Sequence, residues 1–321
     1  MIPRTMLSAA AALLVAGLAA GLSQATAPGK NGRIAFSRYE LHNAPLTAHI
    51  VVANSDGSGQ RTITHASRVY HDDHPHWAPH GSRIVFDRCG FKSSCHLWTM
   101  RPDGSELRRL GPLCASGAPT SSRCPDDSIP AYSPDGRQIA FERYRGPKTG
   151  GYAIWVADAN LRHAHRVASG YEPGWSPDGK QLVFVAKPRA FAAVYVCNSD
   201  GSGLRRITPW RLRAGEHPDW SPDGTHILFA SGPTERGNLF TIGPDGTGLR
   251  QLTHYHGLTE VEVGSYSPDG ASMVFSTVVG AVNRPGAGLT DVFVMTADGT
   301  DRRPVTRARN WDGEADWGPR P

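Results

Sequence analysis

The feature that most constrains this chain is a motif that occurs five times, an aromatic residue running into a tight turn. It reads His76-Trp77-Ala78-Pro79-His80-Gly81, Ala131-Tyr132-Ser133-Pro134-Asp135-Gly136, Gly174-Trp175-Ser176-Pro177-Asp178-Gly179, Asp219-Trp220-Ser221-Pro222-Asp223-Gly224 and Ser265-Tyr266-Ser267-Pro268-Asp269-Gly270. Each copy leads into an alternating strand such as Gln181-Leu182-Val183-Phe184, then a second such as Val194-Tyr195-Val196-Cys197. An Asp-Gly turn and a short edge strand, as in Leu204-Arg205-Arg206-Ile207-Thr208, close the unit. Four short antiparallel strands in about 45 residues are the pattern of a propeller blade. In Ser-Pro-Asp-Gly the proline presets φ, the Asp accepts a following backbone N–H and the glycine takes positive φ, so this Asp is structural.

The two ends complete the count. Gly32-Arg33-Ile34-Ala35-Phe36 reads as the second strand of a blade, and Glu314-Ala315-Asp316-Trp317-Gly318-Pro319 reads as a first strand. Joining them makes a sixth blade from both termini and removes the exposed edges of an open ring. The expectation is an all-β, six-bladed propeller of four-stranded antiparallel blades over 28–321, closed by its N- and C-terminal strands.

The recurring Trp/Tyr-Ser-Pro-Asp-Gly and Asp-Gly…Arg…Leu/Ile-Thr elements over residues 30–319 resemble the TolB-like propeller family, built from a WD40-like repeat. TolB carries an additional α/β domain ahead of its ring, whereas here the ring follows the leader directly. The resemblance therefore implies the fold and leaves a role in the Tol–Pal envelope system open, since such propellers resemble one another more in fold than in function.

Residues 1–27 read as a signal peptide. Arg4 gives the positive start, Met6 to Gly21 the apolar stretch, and Ser23-Gln24-Ala25 a cleavage site. The stretch is short for a membrane span, so the expectation is an extracytoplasmic chain, periplasmic or secreted, with no integral membrane segment. Five cysteines suit that compartment. Cys89 with Cys95 and Cys114 with Cys124 are the local pairings, with cross-pairing as the alternative. Cys197 stands within a strand where other repeats carry Ala53, Met100 or Met295, and reads as a buried small apolar residue. The net charge of +5 is spread along the chain, with doublets such as Arg205-Arg206 at one repeat position. That argues against nucleic acid, which needs a basic footprint on one face. A monomer is expected.

Strand order assigns loops to faces. First-to-second and third-to-fourth turns share one end of the ring; second-to-third loops and blade connections share the other. All insertions fall on the second end: Ser37 to His49, Cys89 to Cys95, Gly111 to Ser128 and Ser276 to Thr290. Variable loops on a rigid scaffold are where binding resides. The connections there carry Tyr70, Tyr171, Trp210, Tyr255 and Trp311, suited to stacking on a protein or glycan ligand of the cell envelope, or to packing against the blades.

A second candidate lies where the first strands line the axis. Three residues before each repeat aromatic the chain reads His74, Ile129, Glu172, His217, Val263 and Glu314. His74, Glu172, His217 and Glu314 suit a divalent metal at the channel mouth, provided opposite blades come close enough for bonds of about 2 Å. His–Glu hydrogen bonding is the plainer reading. One step before the aromatic stand His76, Ala131, Gly174, Asp219, Ser265 and Asp316. The chain has no Gly-x-Ser-x-Gly elbow, Cys-x-x-Cys pair, His-Glu-x-x-His run or phosphate-binding glycine loop. A non-catalytic binder is therefore the first expectation. A metal-assisted lyase or glycan hydrolase at the channel mouth is the alternative.

Overall fold

The computed structural model describes residues 29–40, 47–91, 94–111, 125–146, 151–188, 191–232, 237–256, 259–279, 290–307 and 310–321. The expected signal segment, the Cys114–Cys124 pair and parts of the four insertions lie outside them.

The chain opens with β1 (Asn31–Glu40), β2 (Thr47–Ala53) and β3 (Arg61–Thr62). Five four-stranded meanders follow. Blade 1 is β4 (Tyr70–Trp77), β5 (Ile84–Gly90), β6 (Cys95–Met100) and β7 (Arg108–Arg109). Blade 2 is β8 (Asp126–Tyr132), β9 (Gln138–Tyr144), β10 (Tyr152–Asp158) and β11 (His165–Ser169). Blade 3 is β12 (Tyr171–Trp175), β13 (Gln181–Ala186), β14 (Ala193–Asn198) and β15 (Arg205–Arg206). Blade 4 is β16 (Ala214–Trp220), β17 (Ile227–Ser231), β18 (Asn238–Ile242) and β19 (Arg250–Gln251). Blade 5 is β20 (Thr259–Tyr266), β21 (Ser272–Val279), β22 (Thr290–Thr296) and β23 (Arg303–Pro304). The last strand, β24 (Trp311–Pro319), pairs antiparallel with β1, setting Trp317 opposite Ile34. Blade 6 is therefore β24, β1, β2 and β3, assembled from both ends of the chain.

The core lies between blades. Each of its six clusters draws on two neighbours, and one joins Ala35, Ile50 and Val52 of blade 6 to Trp77, Ile84 and Phe86 of blade 1. A blade has two apolar faces and must cover both, which only a closed ring does for every blade. Every second strand contributes a fully buried phenylalanine: Phe36, Phe86, Phe141, Phe184, Phe229 and Phe275. The fit is tight at the join, where a Cβ on Gly318 would stand 2.4 Å from the Trp77 ring.

Polar motifs of the repeat are spent on turns. In Ser133-Pro-Asp-Gly the Ser133 hydroxyl donates to Asp135 at 2.7 Å and accepts the Gln138 N–H at 2.9 Å. Ser176, Ser221 and Ser267 repeat the pattern. The Ile-Thr and Leu-Thr ends have a matching reason. Thr64 and Thr208 each accept the N–H of a third-strand residue fourteen positions back, Ile50 and Val194, at 2.9 Å. That satisfies a donor the two-residue edge strand cannot reach.

Cys89 and Cys95 form a disulfide between β5 and β6, and Cys197 is buried and unpaired as a thiol. Among the described residues there is no α-helix, and no helix long and apolar enough to cross a membrane.

Candidate functional site

The first strands are not regular. In blades 1, 2, 3 and 4 the pairing of first and second strand slips between Asp73 and His76, Ser128 and Ala131, Tyr171 and Gly174, and Gly215 and Asp219. The residue at the slip turns left-handed: φ is 48° at His74, 48° at Ile129, 57° at Glu172 and 39° at His217, and Glu314 of blade 6 follows at 49°. Side chains with a Cβ enter this region at a cost. A bulge of this kind re-aims the extra residue, here toward the axis. Ile129 shares the geometry, so the bulge belongs to the blade; the chemistry belongs to the residue each blade places there.

These side chains meet at the centre. All six first strands line one cavity that includes His74, Glu172, His217 and Glu314. The His74 and His217 rings, from opposite blades, stack with centroids 5.7 Å apart. His217 Nε2 lies 3.1 Å from Glu314 Oε2 and 3.8 Å from Glu172 Oε1, and His74 Nε2 lies 3.9 Å from Glu314 Oε1. The backbone N–H of His217 donates to Glu172 at 2.7 Å. The span across the axis that would forbid shared ligation is thus bridged by the inward bulges.

A second layer of carboxylates, which the repeat alignment passes over, stands behind this cluster. His74 Nδ1 is 2.8 Å from Asp87, a residue 1% exposed. Asp73 is also buried and accepts from the Tyr39 hydroxyl. Asp87 and Glu142 occupy the position after the buried phenylalanine of their second strands. Blades 3 and 4 carry Val185 and Ala230 there. Blades 6 and 5 carry Ser37 and Ser276, so an acidic residue in a row otherwise of uncharged residues is the signal by which sequence could have found them.

Burial drives the protonation of this layer. It pushes Asp73 up to about 6, with the charges of Asp87 and Glu314 adding and that of His74 opposing. Burial and then the charge of Glu172 push Glu142 up to about 7. Burial works against a charged His74, yet Asp73, Asp87 and Glu314 together outweigh it and hold the imidazole well above its ordinary range. The centre of the ring is a place that favours a cation.

The five connection aromatics are all half-buried on the insertion side. The Arg88 guanidinium lies 4.1 Å from the Tyr70 ring centroid and Arg206 4.4 Å from that of Trp210. Arg302 donates to the Tyr255 hydroxyl at 2.5 Å, and Trp311 lies against Tyr39 with centroids 4.2 Å apart. Tyr171 opens β12 opposite Val185. Tyr70, Trp210, Tyr255 and Trp311 thus spend a ring face on a neighbour within the chain. The well-exposed apolar groups of this side are others: Val69, Tyr152 and Phe191. They sit where first or third strands begin.

The row one step before the aromatics lines the same cavity and also ties neighbouring blades together. Asp316, His76, Asp219 and Ser265 accept the backbone N–H of Trp77, Tyr132, Tyr266 and Trp317 in the next blade.

A closed ring of six meanders with ionisable side chains gathered on its axis defines a six-bladed β-propeller. Residues 120–276, a little under half of the chain, match the family model described as the TolB beta propeller domain, and the six-bladed fold is similar to that of TolB propellers. The Tol-Pal system protein TolB of Anaeromyxobacter dehalogenans is 32% identical over 79 residues, 25% of this chain and 18% of that protein. Among solved structures, TolB from Acinetobacter baumannii superposes with a TM-score of 0.68 at 19% identity, over 90% of this chain and 67% of that one. A putative TolB from Agrobacterium tumefaciens does so with 0.65 at 18% identity, over 88% and 91%. At these identities the structures speak for the fold. The aligned segment spans less than a fifth of the curated relative.

Proposed function

We propose that this chain is an exported, non-catalytic propeller that binds a protein of the cell envelope through its insertion-bearing face. The observation that carries the reading is the contrast between the two ends of the ring. One end is a set of near-identical turns locked by Ser and Asp hydrogen bonds. The other bears every insertion, the Cys89–Cys95 disulfide and the exposed Tyr152 and Phe191. Rigid scaffolds carry recognition where loops vary, and exposed aromatics are favoured anchors. The leader sequence supports export, and a relative named for the Tol-Pal system supports a protein over a glycan as the ligand class.

The test is a photo-crosslinking amino acid placed at Tyr152 or Phe191 and, separately, at Leu204 on the opposite face. The expected result is a discrete protein adduct from the first two positions in intact cells and none from Leu204. Adducts from Leu204 alone would move the site to the turn face. Binding to a glycan panel with no protein adduct would replace the ligand class.

A further inference from the structure

We infer that the axis of the ring is a binding site for one divalent transition-metal ion of the Zn²⁺ kind, held by His74, His217 and Glu314. The partner-binding face does not enter this inference.

The donor atoms are already gathered. One ligand atom from each of the three residues lies within 4.8 Å of the other two. Atoms bound at about 2.1 Å to a tetrahedral ion stand roughly 3.4 Å from one another. The two Glu314–His distances, 3.1 and 3.9 Å, straddle that value. An ion would need only a modest inward shift of the imidazoles, which turn about χ1 and χ2 while the backbone stays in place. Glu172, 3.8 Å from His217 Nε2, stands beside them as a further carboxylate.

The surroundings fit a ligated imidazole better than a plain ion pair. Asp87 sits 2.8 Å from His74 Nδ1. A carboxylate there holds the proton on Nδ1, fixes the ring and leaves the Nε2 lone pair facing the axis, as the outer shell of a metal-bound histidine does. Asp87 is nearly inaccessible and comes from a different strand, β5, so it is supplied by the blade for this contact. Two imidazoles and a carboxylate select first-row transition ions; Ca²⁺ and Mg²⁺ prefer all-oxygen sets. The three ligands come from the adjoining blades 6 and 1 and from blade 4 across the axis, so an ion bound there would tie opposite sides of the ring together.

The experiment is metal titration of the purified, chelator-stripped protein with Zn²⁺, and with Co²⁺ for its visible spectrum. Ca²⁺ serves as the control. The expected result is one equivalent of Zn²⁺ bound with a dissociation constant below about 10 μM, Co²⁺ bands of a low-coordinate nitrogen–oxygen site, and no competition by Ca²⁺. His74→Ala/His217→Ala abolishes binding. The near-isosteric Glu314→Gln, which keeps the fold even if the double variant does not, weakens it at least tenfold. Asp87→Asn keeps the stoichiometry but weakens binding roughly 10–100-fold. No Zn²⁺ bound by the folded protein, or unchanged binding in Glu314→Gln, would overturn the site.

Discussion

The carboxylate of Asp316, on the last strand, accepts the backbone N–H of Trp77, on the first strand of blade 1, at 2.6 Å. The bond crosses the join between the two ends of the ring. It is one of four in which the residue before the repeat aromatic satisfies the aromatic of the next blade, the others being His76 to Tyr132, Asp219 to Tyr266 and Ser265 to Trp317. In blades 2 and 3 the position is Ala131 or Gly174, with no side chain to accept. At the blade 2–3 junction the Trp175 indole donates instead to the Ala131 carbonyl at 3.1 Å.

Asp316→Ala leaves a buried N–H unsatisfied at the join. Losing a charge-assisted acceptor of this kind costs about 1–3 kcal/mol. Thermal unfolding should show a drop of a few degrees. Asp219→Ala, which breaks the equivalent bond within the ring, should cost a similar amount. A fall under half a degree for both would show that water replaces these acceptors.

Three consecutive blades, 6, 1 and 2, hold a buried carboxylate between first and second strand. Asp312 pairs with Arg38, Asp72 with Arg88 and Asp127 with Arg143, at 2.7, 2.6 and 2.6 Å. Asp72 is fully buried, and the Arg88 guanidinium also lies between the Tyr70 and Trp98 rings. Arg88→Met should therefore destabilise by about 3–5 kcal/mol, because an unpaired charge stays behind. Adding Asp72→Leu should recover most of that loss, since the pair as a whole gains little over apolar packing. Denaturant melts of the single and double variants decide it. A double variant no better than the single would mean the pair is held for its hydrogen bonds.

The blade count, the strand order and the closure by β24 were all legible in the sequence, because turn chemistry and alternation are local. So was the row His74, Ile129, Glu172, His217, Val263, Glu314 as a set of equivalent positions. The left-handed bulge at His74 was not. Nothing in His-Pro or Glu-Pro announces a positive φ, and the residue before proline is ordinarily extended. From sequence, whether His74 and His217 come close enough across the axis stays open, and with the bulge they stack. Tyr70 and Tyr255 show the converse limit. Their place on a face follows from the repeat, but Arg88 and Arg302 that engage them come from other strands and segments, at distances no local pattern records.

Cys197 lies in β14 with no exposed surface, and burial, followed by the charge of Asp200, pushes its thiol up to about 11. A thiol with that pKa supplies almost no thiolate near neutral pH and is sterically covered as well. Iodoacetamide at pH 8 should leave Cys197 unmodified in the native protein and label it fully in denaturant, read by mass spectrometry of the peptide. Labelling in the native state at a rate near that of a free thiol would show that β14 opens.

Five blades close with an Asp-Gly turn, and acid should act on the fold there. Asp56, Asp103, Asp200, Asp245 and Asp298 occupy one position in five blades and all lie below the ordinary 3.8, while blade 2 carries Asn160 there. Hydrogen bonds from Thr296 and Thr300 take Asp298 down to about 2. Such a carboxyl binds its proton more readily in the unfolded chain. Its stabilisation is complete above 3.8 and lost as the pH falls towards 2. Asp73 and Glu142, shifted the other way, gain stability as the pH falls towards their ordinary values of 3.8 and 4.5, and so offset the loss only at its upper end. The melting temperature should therefore fall continuously between about pH 4 and pH 2. Asp298→Asn keeps an acceptor oxygen but removes one titrating group, and its melting temperature should fall less steeply than that of the wild type. Parallel slopes for the two proteins would show that the Asp-Gly turns are not what acid dismantles.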